Sequence, residues 1–375
     1  MQASFCFYSM KCLQLIFKIS TAILVLEVFA ADGFAQNSET PTFKLFLIGE
    51  AGEGDSTGAT LHDLKVQLMK SPNSAVVFLG DNCYLKTLFF LPIEEGGYKG
   101  SKVAKRRIMA QLDILKEYKG FVYFIPGNHD WFNHINLRKG KKRLLAEQLV
   151  IEETLRNFTT IKNHDKGTFL PINGDPGPIS KDFNGGKTRI IFIDTHRLII
   201  EEGRRKHVDS LLLKTFYNEL KAQLTDATDK HQKIIVVGHH PIHSKGKHSF
   251  PLVFMERLNR RFADSNANYP PYHRMAVHLD SLLKEHHHPD IYYVSGHEHS
   301  LEYFFNDSLH YLVSGAGSKV DNVGLESCIE EGECLQWNQE GFFEIDFYGR
   351  KETVLMYHKM KGTTDMQIEC VSGCK

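Results

Sequence analysis

From Phe43 onward, short runs of β-branched and aromatic residues recur, each followed by a glycine-containing polar turn and then by a longer amphipathic stretch. The runs Phe43 to Ile48, Ala75 to Leu79, Phe121 to Ile125, Thr188 to Ile193, Lys233 to Val237 and Ile291 to Val294 read as buried strands. Continuous apolar runs of this length suit strands covered on both faces. Between them, Leu61 to Met69, Val103 to Tyr118, Arg143 to Arg156, Val208 to Leu224 and Arg274 to Glu285 carry helical periodicity. Alternation of this kind predicts a layered α/β domain. The end of the chain differs, because Leu309 to Val313, Gly341 to Phe347 and Glu352 to His358 read as consecutive antiparallel strands. Leu85 to Gly100, Lys162 to Lys187 and Ser244 to Tyr272 read as long loops. No repeat, low-complexity tract or linker interrupts residues 42–360, which are expected to form one domain, with 361–375 as a C-terminal tail.

The first 35 residues have another pattern. Lys11 and Lys18 precede an uncharged run from Ile19 to Leu26, and Gly33-Phe34-Ala35 supplies small residues of the kind a signal peptidase reads. Residues 1–35 are therefore expected to be a signal peptide cleaved after Ala35, which implies a secreted or periplasmic protein. A signal anchor is the other reading, and Lys18 and Glu27 cut the apolar run short for it. Met10-Lys11 would also serve as a start.

Composition narrows the function classes. The chain has 375 residues, with 45 Lys+Arg against 45 Asp+Glu, so no whole-molecule positive field gathers nucleic acid, and no nucleic-acid partner is expected. At 42% hydrophobic residues the chain can bury a large core. Export leaves Cys83, Cys328, Cys334, Cys370 and Cys374 in the mature chain. An oxidising compartment permits Cys328/Cys334 and Cys370/Cys374 to bridge, with other pairings open and Cys83 the odd one.

The chemistry gathers where the strands end. The first runs into Gly49-Glu50-Ala51-Gly52, the second into Gly80-Asp81-Asn82-Cys83-Tyr84, and the third into Gly127-Asn128-His129-Asp130. Later come Gly238-His239-His240-Pro241 and Gly296-His297-Glu298-His299. Carboxyl ends of strands in α/β sheets face a common crevice, so these residues are expected to converge. Carboxylates, a phenol, an amide oxygen and imidazoles form a hard donor set suited to a pair of divalent or ferric ions.

These blocks resemble those of the calcineurin-like metallophosphoesterases, and within them the purple acid phosphatases, whose blocks run G-D-x-G, G-D-x-x-Y, G-N-H, G-H-x-P and G-H-x-H. The chain has G-E-A-G, G-D-N-C-Y, G-N-H-D, G-H-H-P and G-H-E-H in the same order over roughly residues 42–315. The tyrosine three residues after Asp81 favours the purple acid branch, as does Gly52, where the commoner branch has histidine. The resemblance implies a layered α/β/β/α sandwich with metal ligands at strand C-terminal ends. It assigns Glu50, Asp81, Tyr84 and His299 to one metal and Asp81, Asn128, His239 and His297 to the other, with Asp81 bridging. His297 and His299, two apart in an extended segment, would point to the same side and Glu298 away. The resemblance also implies a substrate-pocket histidine nine residues past His239, which is His248.

The resemblance implies a dinuclear phosphatase acting on small phosphomonoesters, and the leader implies that it is secreted, with no stable membrane insertion after signal cleavage. Two ions, iron paired with iron, zinc or manganese, about 3.5 to 4 Å apart, would polarise the phosphoryl group and generate the hydroxide that attacks phosphorus. His129 would stabilise developing charge, and His248 would bind phosphate or protonate the departing alkoxide. Asp130 would orient His129 from behind or cap the next turn. His286, His287 and His288 fit a helix end, His196 a strand terminus or the crevice, and His243 stays open. Asn157-Phe158-Thr159 and Asn306-Asp307-Ser308 fit the glycosylation sequon.

The departure from the family is Glu50, one methylene longer than the family's aspartate. An alternative is therefore a phosphate-ester binding or sensing protein with a degraded first metal site. A remote one is a serine esterase, because Gly54-Asp55-Ser56 with Asp307-Ser308-Leu309-His310 mimics the blocks of a secreted esterase family. It leaves the five metal-type blocks unexplained.

Overall fold

The computed structural model describes residues 40–53, 58–84, 99–131, 137–204, 210–249, 269–286, 291–306, 309–321, 334–348, 351–358 and 366–370. The expected signal peptide, Gly54 to Ser56, His287, His288, Cys328, Cys374 and most of the Leu85–Gly100 and Ser244–Tyr272 loops lie outside them. The chain divides into residues 1–40 and a compact unit from Pro41 to Lys375.

That unit is built on two sheets. In the first, β1 (Phe43–Ile48), β2 (Ser74–Phe78) and β3 (Phe121–Phe124) run parallel, linked by helices α1 (Ala59–Lys70) and α2 (Lys99–Asp113). Continuing the chain, α3 (Asn128–Trp131) and α4 (Leu137–Arg156) lead to β4 (Ile179–Phe183) and β5 (Thr188–Phe192). After α5 (Thr195–Arg204) and α6 (Leu211–Asp229) come β6 (Lys233–Val237), α7 (Pro270–Lys284) and β7 (Ile291–Ser295). The remaining strands are β8 (Leu301–Asn306), β9 (Leu309–Ser314), β10 (Cys334–Trp337), β11 (Gly341–Tyr348), β12 (Lys351–His358) and β13 (Met366–Cys370). The strand orders are β13-β12-β11-β1-β2-β3 and β10-β8-β9-β7-β6-β5-β4. In the second sheet β5, β6, β7 and β9 are parallel.

The pleat explains the layering. Alternate residues of β1, Phe43, Leu45 and Leu47, pack with Ile190, Phe192, Ile235, Val237, Val294 and Leu312 of the second sheet in one buried layer between the sheets. Phe46 and Ile48 point the other way, onto Leu61, Leu64 and Leu68 of α1 and Leu144 and Ile151 of α4. Ile191, Ile234 and Tyr293 meet Leu213 and Leu220 of α6 and Met275 and Leu279 of α7. The result is the α/β/β/α sandwich.

Local signals set the helix starts. Ser210 caps α6 by accepting from Leu213 N–H, and Pro270 and Pro271 open α7, where a missing N–H costs nothing. Several elements differ from the sequence reading, β10 among them. β4 lies inside the expected 162–187 loop; it is an edge strand with exposed Lys181 and Asp182, so it lacks an apolar signature. In β8 the fully buried Glu302 breaks the apolar run, and α5 is only ten residues long. β13 pairs with β12 beyond residue 360, in the segment read as a tail.

The inter-sheet layer predicts a stability difference. Ile235→Ala, at a fully buried position of that layer, is expected to cost about 2–5 kcal/mol in denaturant unfolding, whereas Leu211→Ala, 76% exposed, is expected to stay within roughly 0.5 kcal/mol. Equal effects would show that the layer does not carry the fold.

Candidate metal centre

The two sheets meet at the carboxyl ends of their parallel strands. Gly49 N–H donates to Ser314 O at 2.6 Å, joining β1 to the end of β9 in the other sheet. A Cβ on Gly49 would come within 3.0 Å of both Ser314 O and Gly296 Cα, so the approach needs glycine. Immediately beyond the glycines, Glu50 (φ 59), Asp81 (φ 54) and His297 (φ 70) all adopt the left-handed conformation. Each such residue costs roughly 1–3 kcal/mol and persists where surrounding contacts enforce it. Here the turn swings each side chain from the strand end into the crevice.

The side chains form two adjoining clusters. In one, His239 Nε2, His297 Nδ1 and Asn128 Oδ1 lie 2.9–3.3 Å from one another, and His239 Nε2 is 3.5 Å from Asp81 Oδ1. In the other, His299 Nε2 is 3.4 Å from the Tyr84 hydroxyl and 3.7 Å from Glu50 Oε2. Glu50 and Asp81 stand between them, with ligand atoms of Glu50, Asp81 and His239 all within 4.8 Å of one another. The structure thus brings together all seven residues assigned to the two metals.

The hydrogen bonds around the clusters leave lone pairs facing inward. His239 Nδ1 donates to the Leu79 carbonyl at 2.8 Å, so Nε2 of the neutral ring is unprotonated. His299 Nδ1 is 2.8 Å from Asp321 Oδ2, which presents its Nε2 in the same way. His297 N–H donates to Glu50 Oε1 at 2.6 Å, whereas the fully buried Glu50 Oε2 accepts no hydrogen bond among the described residues. Burial, followed by the charge of Asp81, pushes the Glu50 carboxyl well above its ordinary range. Burial works in the same direction on Asp81, but the neighbouring His239 and His129 outweigh it and lower its pKa. Two buried carboxylates and converging imidazole and amide lone pairs repel one another without a cation between them, so this donor set fits metal ions.

Around this core, the remaining expected residues take distinct places. His129 leans on the Tyr84 ring at 4.4 Å, its own ring 31% exposed, with Nε2 3.9 Å from Asp81 Oδ2. His248 packs against His297 with ring centroids 4.8 Å apart and the rings tilted by 36°. Asp130 accepts from Gly127 N–H at 2.8 Å, Cys83 N–H at 3.1 Å and Asn82 Nδ2 at 3.2 Å, so its carboxylate ties the second and third ligand loops together. The His129 ring is not among its described partners. His240 approaches His297 at 4.5 Å while its Nδ1 lies 2.8 Å from Thr195 Oγ1. His196 is buried in the first turn of α5, and His243 pairs with Asp280 at 3.3 Å. His286 Nδ1 donates to the Leu282 carbonyl at the end of α7. His310, the histidine of the esterase reading, lies in β9, stacked on Tyr292 and bonded to Tyr303.

One local expectation is corrected. Residues 297–299 do not form an extended segment: the left-handed His297 makes a bend, and both imidazoles reach the centre through it. Glu298 does turn away from them, and its Oε2 accepts from both the backbone N–H and Nδ1 of His248, each at 3.1 Å. A Cβ on Gly246 would collide with that carboxylate, so the loop needs glycine there. Sequence reasoning missed Glu298, although its place between the two histidines is a signal that could have found it. Asp321 carries no such signal.

The family model for calcineurin-like phosphoesterases matches residues 51–301, more than half of the chain. A search of curated proteins found no match. Among solved structures, the chain is similar to GAP50, the anchor in the inner membrane complex of Plasmodium, at 18% identity over 88% of each chain with a TM-score of 0.53. It is also similar to PhoD, at 11% identity over 89% of this chain and 71% of that one, with a TM-score of 0.52. Both are likenesses of fold.

Glu50 is the position that tests the centre. Glu50→Ala is expected to reduce bound metal by one ion per chain, by metal analysis of the purified protein. Glu50→Asp is expected to lose nearly as much, because a turn built around glutamate leaves the shorter carboxylate out of reach. A gain of metal on Glu50→Asp would mean instead that the first site has decayed.

Proposed function

The chain belongs to the calcineurin-like phosphoesterase family, a family of metal-dependent phosphoester hydrolases, and on that premise we propose that it is a dinuclear phosphomonoesterase of the purple acid phosphatase branch. The observation that carries this reading is the pair of donor clusters with Asp81 between them, one of which includes the Tyr84 hydroxyl. Glu50, Asp81, Tyr84 and His299 would hold one ion, and Asp81, Asn128, His239 and His297 the other. Gly52 supports the branch: a Cβ there would run into the Asp81 carbonyl and the Asn82–Cys83 peptide, so no histidine fits at that position.

Bound ions supply Lewis acidity to the phosphoryl oxygens and lower the pKa of water. The chain's own residues do the rest. His129, at the open rim, is placed to donate to a phosphoryl oxygen as negative charge builds. His248 supplies the proton for the departing alkoxide: burial opposes its charged form, but the hydrogen bond and charge of Glu298 prevail and raise its pKa. Glu298 holds Nδ1, which leaves the other ring nitrogen for the substrate.

The leader-like residues 1–35 support export, to the exterior or a periplasm. Among the described residues no helix is long and apolar enough to cross a membrane. The partner is a small phosphate ester, and iron with iron, zinc or manganese suits the donors. A second reading, a phosphate-ester binding or sensing protein with a degraded first site, rests on glutamate standing at position 50.

Metal-replete protein is expected to carry two ions per chain and to turn over a generic phosphomonoester. Fewer than two ions, together with no turnover of monoester, diester or pyrophosphate, would overturn the proposal. An iron-loaded sample is expected to show a visible tyrosinate charge-transfer band, and a colourless one would remove the purple acid branch while leaving the family. His248→Ala is expected to slow alkyl phosphates by roughly 10²-fold and aryl phosphates less, in steady-state assays with both substrates. Equal losses for both would count against proton donation.

A further inference from the structure

The proposed centre uses Tyr84 through its hydroxyl, but the ring has a contact of its own. Lys319 Nζ lies 3.1 Å from the centroid of the Tyr84 ring, over its face. The ammonium also pairs with Glu53 Oε2 at 3.0 Å, and Glu53 Oε1 is 3.7 Å from Arg107, which in turn donates to the Tyr84 carbonyl. Lys319 belongs to the segment after β9, and that segment touches Glu50, Tyr84 and His299, the residues assigned with Asp81 to one ion. Ser318 Oγ donates to the Glu50 carbonyl, Lys319 covers Tyr84, and Asp321 holds His299. The side chain of Lys319 is only 24% exposed, so water screens its charge weakly.

We propose that Lys319 is a tuning residue for Tyr84: its ammonium lowers the energy of the electrons in the phenol ring and so sets the electronic character of an iron ion held by that ring's oxygen. The inference rests on the reading of Tyr84 as an iron ligand. A positive charge over the face of an aromatic ring stabilises its π electrons. An ion held through the hydroxyl would sit past the phenol oxygen, farther from Nζ than the ring itself. Light absorption that moves an electron from the ring to ferric iron therefore moves negative charge away from the ammonium, which costs energy. With Lys319 present, the band lies at shorter wavelength, and the ring, a weaker donor, leaves ferric iron easier to reduce.

The test uses the full chain, stripped of metal and reloaded with iron, as wild type, Lys319→Met and Lys319→Arg. Met keeps most of the stem without the charge, and Arg keeps a cation that can lie on the ring. Lys319→Met is expected to move the absorption maximum to longer wavelength and to lower the iron reduction potential, while Lys319→Arg keeps both near the wild-type values. An iron-loaded Lys319→Met protein with wild-type maximum and potential would overturn the inference. So would loss of iron from Lys319→Met with retention in Lys319→Arg, which would make Lys319 a binding residue and not a tuning one. A colourless iron-loaded wild type would instead overturn Tyr84 as an iron ligand, and this inference with it.

Discussion

Glu50 and Asp81 are shut away from water side by side, at the point where the two sheets touch. Burying one carboxylate is expensive, and burying two against each other adds their repulsion. The surroundings answer only part of that cost. His297 N–H binds one Glu50 oxygen and His129 N–H binds one Asp81 oxygen, while Glu50 Oε2 stays without a hydrogen bond among the described residues. The imidazoles ease only Asp81, whose pKa His239 and His129 lower; burial lowers the pKa of His239 itself, and the Glu50 carboxyl stays well above its ordinary range. A cation meets the demand that the polypeptide leaves open.

The backbone makes that placement possible. Gly49 and Gly296 let strands from opposite sheets come within backbone contact, and Glu50, Asp81 and His297 turn in the left-handed region just beyond them. Packing between the sheets holds these turns, so the energy stored in them is drawn from the apolar layer of Leu45, Leu47, Ile235 and Val294. Fold and site are one problem here, since the same strand ends serve both.

A second tier of residues orients the first. Asp321 and the Leu79 carbonyl select the ring nitrogens that His299 and His239 present, and Glu298 fixes His248. Asp130 ties the loop that carries Asp81 to the loop that carries Asn128. None of these groups need touch a substrate, yet each decides where a reacting nitrogen or oxygen lies to within a fraction of an ångström.

The α/β layering, the strand runs and the convergence of the five glycine-led blocks were legible in the sequence, because buried strands need continuous apolar runs and close backbone approach needs glycine. Edge strand β4, with polar residues on its open side, and β8, interrupted by Glu302, lacked that pattern and were missed. Tyr84, His129, His239, His297 and His299 could be named from their place just after strand ends, and His248 through the family resemblance. The sequence could not place Lys319 over the Tyr84 ring or Asp321 on His299, because no motif joins either pair: Lys319 and Tyr84 are far apart in the chain, and Asp321 lies in a separate turn from His299. Nor could it reveal the bend at His297 that turns Glu298 toward His248. Local order fixes which residues come after a strand, because it depends on neighbours in the chain; which side chain then braces another depends on how two sheets and their loops pack, and that only the tertiary structure decides.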